Sequence, residues 1–178
     1  MNYLLTNQES QRLSFRKLER SDFNACLEFF QNPLSNRYWK SDVTDPVVLC
    51  KDWSDKQFSR YKDNKGGMNV LIHKKSQELI GWCGLLIQIV DNVEELEVGY
   101  SIIPKYWGNG YATEAVKKCV DYAFENNLRD SIISIIQVNN VESERVAIKN
   151  GLIPKKQAIY HNNVVNIFRI NNKCERSD

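Results

Sequence analysis

The sequence predicts an α+β fold in which a mostly antiparallel sheet contains one parallel crossover. Three strand-like apolar runs between residues 68 and 103 are separated by short turn sequences, which is typical of an antiparallel meander. A helical pattern and a β-branched run follow, and a strand–helix–strand unit requires two neighbouring, parallel strands. With 178 residues, 42% of them hydrophobic, the chain has the size of one domain. We therefore expect a single domain over residues 1–178.

The first part of the chain predicts one strand followed by two helices. Leu13 to Leu18 shows partial alternation, which favours a short strand. Ser21 and Asp22 provide capping oxygens for a first helix, which Pro33 ends. Thr44-Asp45-Pro46 is a second helix start, and Lys65-Gly66-Gly67 is expected to close that helix.

The remaining elements are predicted from changes of period and from turn residues. Asp91-Asn92 and His161-Asn162-Asn163 are expected to form turns, and Gly151 is expected to cap a helix in the left-handed conformation. The elements are the strands 68–72, 79–90 and 96–103, the helix 111–125, the strand 132–138, the helix 141–150, and the strands 158–160 and 164–170.

Charge and hydropathy point to no special partner. The chain has 24 Lys and Arg against 22 Asp and Glu, so its net charge of +2 favours neither nucleic acid nor an anionic membrane. No run approaches the roughly 20 apolar residues that span a bilayer, and Met1 to Arg12 lacks the apolar core of a signal peptide. We expect a cytoplasmic protein.

The cysteines and histidines do not predict a metal site. The five cysteines include no CxxC pair, and an odd number cannot all pair within one chain, so reduced thiols are expected. His73 and His161 are far apart in sequence and lack ligand-spaced neighbours, so we expect no metal. A Cys–His nucleophilic pair stays open without local support. Apolar patterns surround Cys26, Cys83 and Cys119, which favours a core role for these three.

Gly108 and Gly110 lie between a predicted strand and a predicted helix. Glycine permits positive φ and a close backbone approach, and the free amides and dipole of a helix start attract phosphate. The loop is not a Walker A sequence, and Thr113 stands where a GxGxxG fingerprint needs its third glycine. These residues alone leave two interpretations, an anion site and an ordinary turn.

The sequence around this loop, at residues 97–104 and 107–115, resembles motif A of the GNAT acetyltransferase superfamily, and within it the RimJ/RimL branch of ribosomal-protein N-terminal acetyltransferases. The similarity covers about residues 12–170. Trp107 replaces the superfamily's usual Arg or Gln, a change common in that branch, and Leu152 replaces its usual Phe. The runs that carry the resemblance are 12–16, 79–85, 97–104, 107–115, 140–143 and 149–152.

The resemblance implies the GNAT fold, with splayed central parallel strands and acetyl-CoA as co-substrate. It implies that the backbone of Ile102 and Ile103 lies beside the pantetheine arm, and that Gly99 is a candidate for the bulge that splays the strands. Asn140 would bond the pantetheine amides. The pyrophosphate would be held by the amides of Gly108, Asn109, Gly110, Tyr111, Ala112 and Thr113.

Acetyl transfer to an amine needs a base, a donor to the oxyanion and a proton for the leaving thiolate. Glu97 is the candidate base, directly or through water, and Ser143 the candidate proton donor near the thioester sulfur. A backbone amide near Ile102 would face the oxyanion. Glu97 could instead be a solvated strand carboxylate and Ser143 a helix cap, and Tyr106 and Tyr160 are alternative proton donors.

The acceptor amine is left open between a protein N-terminus, a polyamine and an aminoglycoside-like molecule. In this superfamily the first two helices and the closing hairpin build the acceptor groove. Glu94, Glu95 and Glu97 could attract a cationic amine. Two other functions stay open, a catalytically silent acyl-CoA sensor and a nucleotide-binding module unrelated to CoA. A homodimer is one option for assembly. Aromatic residues that could line the groove are Tyr38, Trp39, Trp53, Trp82 and Tyr160.

Overall fold

The order of strands and helices agrees with the order that the sequence predicts. A computed structural model describes residues 2–35, 37–38 and 41–172. These residues form β1 (Leu13–Lys17), α1 (Phe23–Gln31), α2 (Pro46–Lys62), β2 (Gly66–His73), β3 (Leu79–Val90), β4 (Val93–Ile102), α3 (Tyr111–Glu125), β5 (Ser131–Gln137), α4 (Val141–Lys149), β6 (Ile153–Tyr160) and β7 (Asn163–Asn171).

The strands form one seven-stranded sheet in the order β1-β2-β3-β4-β5-β7-β6. All neighbours are antiparallel except β4 and β5, which run parallel and are joined through α3. β4 and β5 pair at one position only, between Glu97 and Ile133. The α+β fold, with its central parallel strands splayed apart, is therefore confirmed.

The expected bulge at Gly99 is wrong. β3 and β4 pair without a register shift from Gly81–Ile102 to Val90–Val93. The opening lies on the other side of β4, because β5 continues its pairing with β7 while β4 continues its pairing with β3. The splay therefore starts just beyond Glu97 and needs no irregularity inside β4.

Two turns fix the registers of the outer hairpins. Asp91 and Asn92 have φ of 49° and 63°, and His161 and Asn162 have φ of 46° and 60°. Two consecutive left-handed residues match the twist of a two-residue hairpin, and Asn and Asp tolerate this conformation. Asn163, expected in the second turn, is already the first residue of β7.

The end of α2 differs from the expectation. The helix stops at Lys62, and Gly66 and Gly67 belong to β2. A Cβ on Gly66 would lie 2.0 Å from the carbonyl oxygen of Leu85. Gly66 therefore allows β2 to approach β3 closely, whereas a Cβ on Gly67 would lie 2.6 Å from Cε1 of Tyr61, and neither glycine caps the helix.

The two faces of the sheet are covered by different helices. On β3, Cys83 and Leu85 belong to the core cluster that includes residues of α3, whereas Trp82 and Leu86 pack with residues of α1 and α2. The alternation follows from the period of two in a strand. Thiols at 26, 50, 83 and 119 are free and buried, which confirms the core role expected for three of them. Cys174 lies outside the described residues.

The described ranges contain no helix with the length and apolar character needed to cross a membrane. Nor do they bring three or more His, Cys, Asp or Glu side chains together in a group that could hold a metal ion.

Candidate active site

A cavity of about 670 Å³ opens where β4 and β5 diverge. Its wall is built by α2, the start of α3, the start of α4 and the β6–β7 turn. Ile103 and Asn109 are the two predicted site residues that do not line it. The predicted site residues that do line it are Glu97, Ile102, Gly108, Gly110, Tyr111, Ala112, Thr113, Asn140 and Ser143.

The glycine loop ends in left-handed backbone at the first turn of α3. Gly108 and Gly110 both have φ of 78°, and α3 begins at Tyr111. A Cβ on Gly108 would meet nothing within 4 Å, so this glycine is required by backbone conformation and not by crowding. The first amides of the helix have no intrahelical acceptor, and the positive end of its dipole faces the cavity. The loop therefore fits an anionic group.

Arg12 and Glu114 hold this loop in place, a role that the sequence did not indicate. Nη1 of Arg12 donates to the carbonyl of Asn109 at 3.0 Å, and Nε donates to Glu114 Oε2 at 2.6 Å. The guanidinium lies over the Tyr111 ring, 4.5 Å from its centroid. Glu114 also accepts from the Arg12 amide and from the Ser10 hydroxyl, each at 2.7 Å. The start of α3 is thereby tied to β1.

These contacts decide the charge state of Glu114. Burial alone would raise the pKa of this carboxyl, but hydrogen bonds from the Arg12 amide, Ser10 and the Arg12 guanidinium hold the pKa below its ordinary value. Glu114 is therefore ionised at neutral pH and neutralises the charge of Arg12. Because its hydrogen bonds come from Arg12 and Ser10, the amides of the glycine loop stay available to a ligand.

The backbone of β4 presents alternate amides to the cavity. The Ile103 amide donates to Ile80 on β3 at 2.9 Å, so it is not available to a ligand. In an antiparallel pair successive amides point to opposite sides, which turns those of Tyr100 and Ile102 toward the gap. The Ile102 carbonyl accepts from the Trp107 indole Nε1 at 2.6 Å. Trp107, the departure from the superfamily pattern, thus anchors the loop to β4.

Glu97 lies at the point where the central strands separate. Its Oε2 accepts from Gln88 Nε2 at 2.7 Å, and Gln88 Oε1 accepts from Arg60 Nη2 at 2.7 Å. Burial raises the pKa of the Glu97 carboxyl, and this outweighs the opposing hydrogen bonds from Gln88 and the Ile135 amide and the positive charges of Arg60 and Lys56. Glu97 is thus not a solvated strand carboxylate. Gln88 and Arg60 were not singled out from the sequence.

Glu94 and Glu95 have a different environment from Glu97. Glu94 forms an ion pair with Arg129, and Glu95 forms one with Arg169. Neither carboxylate lines the cavity. Because both charges are neutralised elsewhere, the expectation that they attract a cationic amine is not supported by this geometry.

Asn140 and Ser143 open α4 at the opposite wall. The Asn140 Oδ1 accepts from the Ser143 amide at 3.1 Å, so Asn140 is the side chain that caps the helix. The Tyr100 hydroxyl donates to the Ser143 carbonyl at 2.7 Å, and burial raises the pKa of Tyr100. With its oxygen used in capping, Asn140 has its Nδ2 left to offer a ligand.

The aromatic candidates divide between wall and core. Tyr38, Trp53, Tyr106 and Tyr160 line the cavity, and burial raises the pKa of Tyr160 to about 12, so it stays protonated at neutral pH. Trp82 is 1% exposed and packs edge-on against other aromatic rings, so it belongs to the core. Trp39 lies outside the described residues.

Comparison with known proteins gives the same family as the sequence motifs. Residues 12–153 match the Acetyltransferase (GNAT) domain. The uncharacterized protein YkkB of Bacillus subtilis is 38% identical over 79 residues, a match that spans 44% of this chain and 46% of YkkB. The uncharacterized N-acetyltransferase YoaA of the same species is 26% identical over 157 residues, which cover 86% of this chain and 88% of YoaA.

A solved structure shares the fold. The spermidine N-acetyltransferase of Vibrio cholerae, in complex with CoA and spermine, superposes with a TM-score of 0.70 at 20% identity. The superposition covers 90% of this chain and 96% of that one. At this identity the likeness concerns the fold alone. The domain match, which covers most of the sequence, shows that this chain belongs to the GNAT acetyltransferase family.

Proposed function

We propose that the protein is an N-acetyltransferase that moves the acetyl group of acetyl-CoA to a primary amine by direct transfer in a ternary complex. One observation carries the proposal, namely that a single cavity joins the amide-rich start of α3 to the partly buried carboxylate of Glu97. An anion site and a candidate base at two ends of one groove are what such a transfer requires.

The chain offers contacts along the whole length of the groove. The amides from Gly108 to Thr113 would hold the pyrophosphate of acetyl-CoA, and Ile102 on the free edge of β4 would lie along its pantetheine arm. Asn140 would donate its Nδ2 to a pantetheine carbonyl. Asn109 would act only through its backbone, because its side chain donates to the Tyr106 and Trp107 carbonyls and lies outside the cavity. Acetyl-CoA supplies the thioester.

The chemistry assigns one proton to each of two residues. Glu97 accepts the amine proton, directly or through water, as the amine nitrogen forms its bond to the acetyl carbon. Ser143 donates a proton to the sulfur as the carbon–sulfur bond breaks and regains one from solvent, to which Glu97 releases the amine proton. A backbone amide of β4 stabilises the charge on the acetyl oxygen. Tyr100 lies about 10 Å along the strand from Glu97 and Ile102 about 17 Å, so the Tyr100 amide is the nearer donor.

Several finer points belong to the same proposal. The chain would act as one domain over residues 1–178, in the cytoplasm, without metal, nucleic acid or membrane. Its acceptor would be a protein N-terminal amine, as in the RimJ/RimL branch, or the amine of a small molecule. A homodimer is one option for its assembly.

The proposal is tested by thiol release from acetyl-CoA in the presence of peptides, polyamines, aminoglycosides and amino acids. Glu97→Gln should lower turnover by about 10²–10⁴-fold, because general base catalysis is typically of that size. The affinity of the Glu97→Gln variant for acetyl-CoA, measured by calorimetry, should stay unchanged. Glu94→Gln, on the same strand but outside the cavity, is the matched control and should keep full activity.

Three outcomes would contradict the proposal. Normal turnover of Glu97→Gln would remove it as the base. Acetyl-CoA binding without thiol release on any amine would indicate a silent acyl-CoA sensor. Preferential binding of ATP or NAD over CoA would indicate an unrelated nucleotide module.

A further inference from the structure

Two basic side chains of α2 lie at the Glu97 end of the cavity. Lys56 and Arg60 are four residues apart, on one face of the helix, and both line the cavity. Arg60 is fixed through Nη1 to the Ile87 carbonyl at 3.0 Å and through Nη2 to Gln88. Each of these acceptors is neutral, so the guanidinium charge is not compensated by its own hydrogen bonds.

No carboxylate of the described ranges forms an ion pair with Lys56 or Arg60. The carboxylate of Glu97 opposes the charges of Lys56 and Arg60, and Gln88 links it to Arg60 by hydrogen bonds. Burial and the neighbouring Arg60 lower the pKa of Lys56, and burial and Lys56 lower the pKa of His161. Two cations therefore face one partly buried carboxylate, and like charges at this spacing on a helix are unfavourable unless an anion joins them.

These cations are far from the glycine loop that would receive the pyrophosphate. Glu97 precedes Ile102 by five residues on β4, or about 17 Å of extended strand. The Trp107 end of the loop is attached at Ile102. Lys56 and Arg60 consequently belong to the part of the cavity where the acceptor amine has to lie.

Resting on the function proposed above, we propose that the acceptor is a small amine that also carries an acidic group, a carboxylate or a phosphate. Glu97 receives the amino group, while Lys56 and Arg60 attract the acidic group. Because a polyamine would bring two or more positive charges against these side chains, the same arrangement discriminates against it. The polyamine specificity of the Vibrio cholerae neighbour therefore does not extend to this chain.

The test compares matched amines in the thiol-release assay. Each α-amino acid is paired with its carboxamide, phosphoethanolamine is paired with ethanolamine, and spermidine is included. An amino acid and its amide differ chiefly in one negative charge, and that charge raises the pKa of the amine. Intrinsic reactivity at neutral pH thus favours the amide. Although intrinsic reactivity favours the other amine, we expect kcat/KM to be at least tenfold higher for the amine of each pair that carries the acidic group.

Variants of α2 assign the preference to these side chains. Lys56→Gln should lower kcat/KM for the acidic amine about tenfold and change that of its amide less than twofold. Lys51→Gln, on the same helix but outside the cavity, should change neither. Calorimetry of the CoA-bound protein with the acidic amine should show the same loss of affinity in Lys56→Gln.

Preference for the amide, ethanolamine or spermidine would overturn the inference, as would an equal effect of Lys56→Gln on both members of a pair. These outcomes would leave the proposed function intact, because thiol release would still occur. Acetyl-CoA binding with no release on any amine would instead refute the proposed function, and the inference with it.

Discussion

At the scale of single residues, the contact of Glu97 with Gln88 opposes the rise in pKa that burial causes. The Gln88 amide donates to the carboxylate and so favours its charged form, while burial favours the neutral form. Gln88→Leu should therefore raise the pKa of Glu97 further. Since a base acts when ionised, we expect the acidic limb of the kcat/KM profile to move to higher pH. A drop in activity with an unmoved limb would contradict this positioning role.

The sequence predicts the strand register behind the Gln88–Glu97 contact, but it does not predict that Arg60 joins it. Asp91-Asn92 predicts a two-residue turn, and that turn fixes Gln88 opposite Glu95, which places it diagonal to Glu97 on the same face. This register was available from the sequence. Arg60 was not, because only tertiary packing brings α2 against β3.

At the scale of elements, the start of α3 is stabilised by the contacts of Glu114. Its folded pKa lies below the ordinary value, so the stabilisation is complete above the unfolded pKa of about 4.3 and is lost as pH falls through the folded pKa. Glu114→Gln should reduce the free energy of unfolding by about 2 kcal/mol at pH 7. In urea unfolding the difference between the two proteins should shrink on acidification. A constant difference at all pH values would refute the ionic contribution.

The glycine loop gives a second prediction for the same element. Gly110→Glu places bulk and negative charge at the mouth of the anion site, and we expect it to abolish acetyl-CoA binding in calorimetry. Gly110→Ala is the matched control. It shares the strain of a side chain at φ of 78°, roughly 1 kcal/mol, but adds no charge, and its Cβ lies 3.6 Å from Arg12 Nη2. If Gly110→Glu bound acetyl-CoA as tightly as the control does, the loop would not be the pyrophosphate site.

Elements with local signals were predicted, and those set by long-range pairing were not. Gly108 and Gly110 act within a few residues of the chain, so their positions could be predicted, whereas the helix cap considered for Ser143 belongs to Asn140. The end of α2 could not be predicted, because Gly66 is required by the Leu85 carbonyl across the sheet and both Gly66 and Gly67 belong to β2. Likewise, β4 and β5 separate because β4 stays paired with β3 and β5 stays paired with β7, and not because of Gly99 itself.

At the scale of the whole molecule, the cavity is bounded by β4, β5, α2, α3 and α4, so a ligand that fills it contacts all five elements at once. A ligand that binds only the folded state at 100 times its Kd stabilises that state by about 2.7 kcal/mol. For a chain of this length, this should raise the Tm by about 5–10 °C. We expect acetyl-CoA to produce this shift in a thermal melt, and Gly110→Glu to lack it.

ATP and NAD should have no comparable effect, since neither has a pantetheine arm to lie along the free edge of β4. A larger shift with either nucleotide than with acetyl-CoA would mean that the cavity is used by another class of ligand.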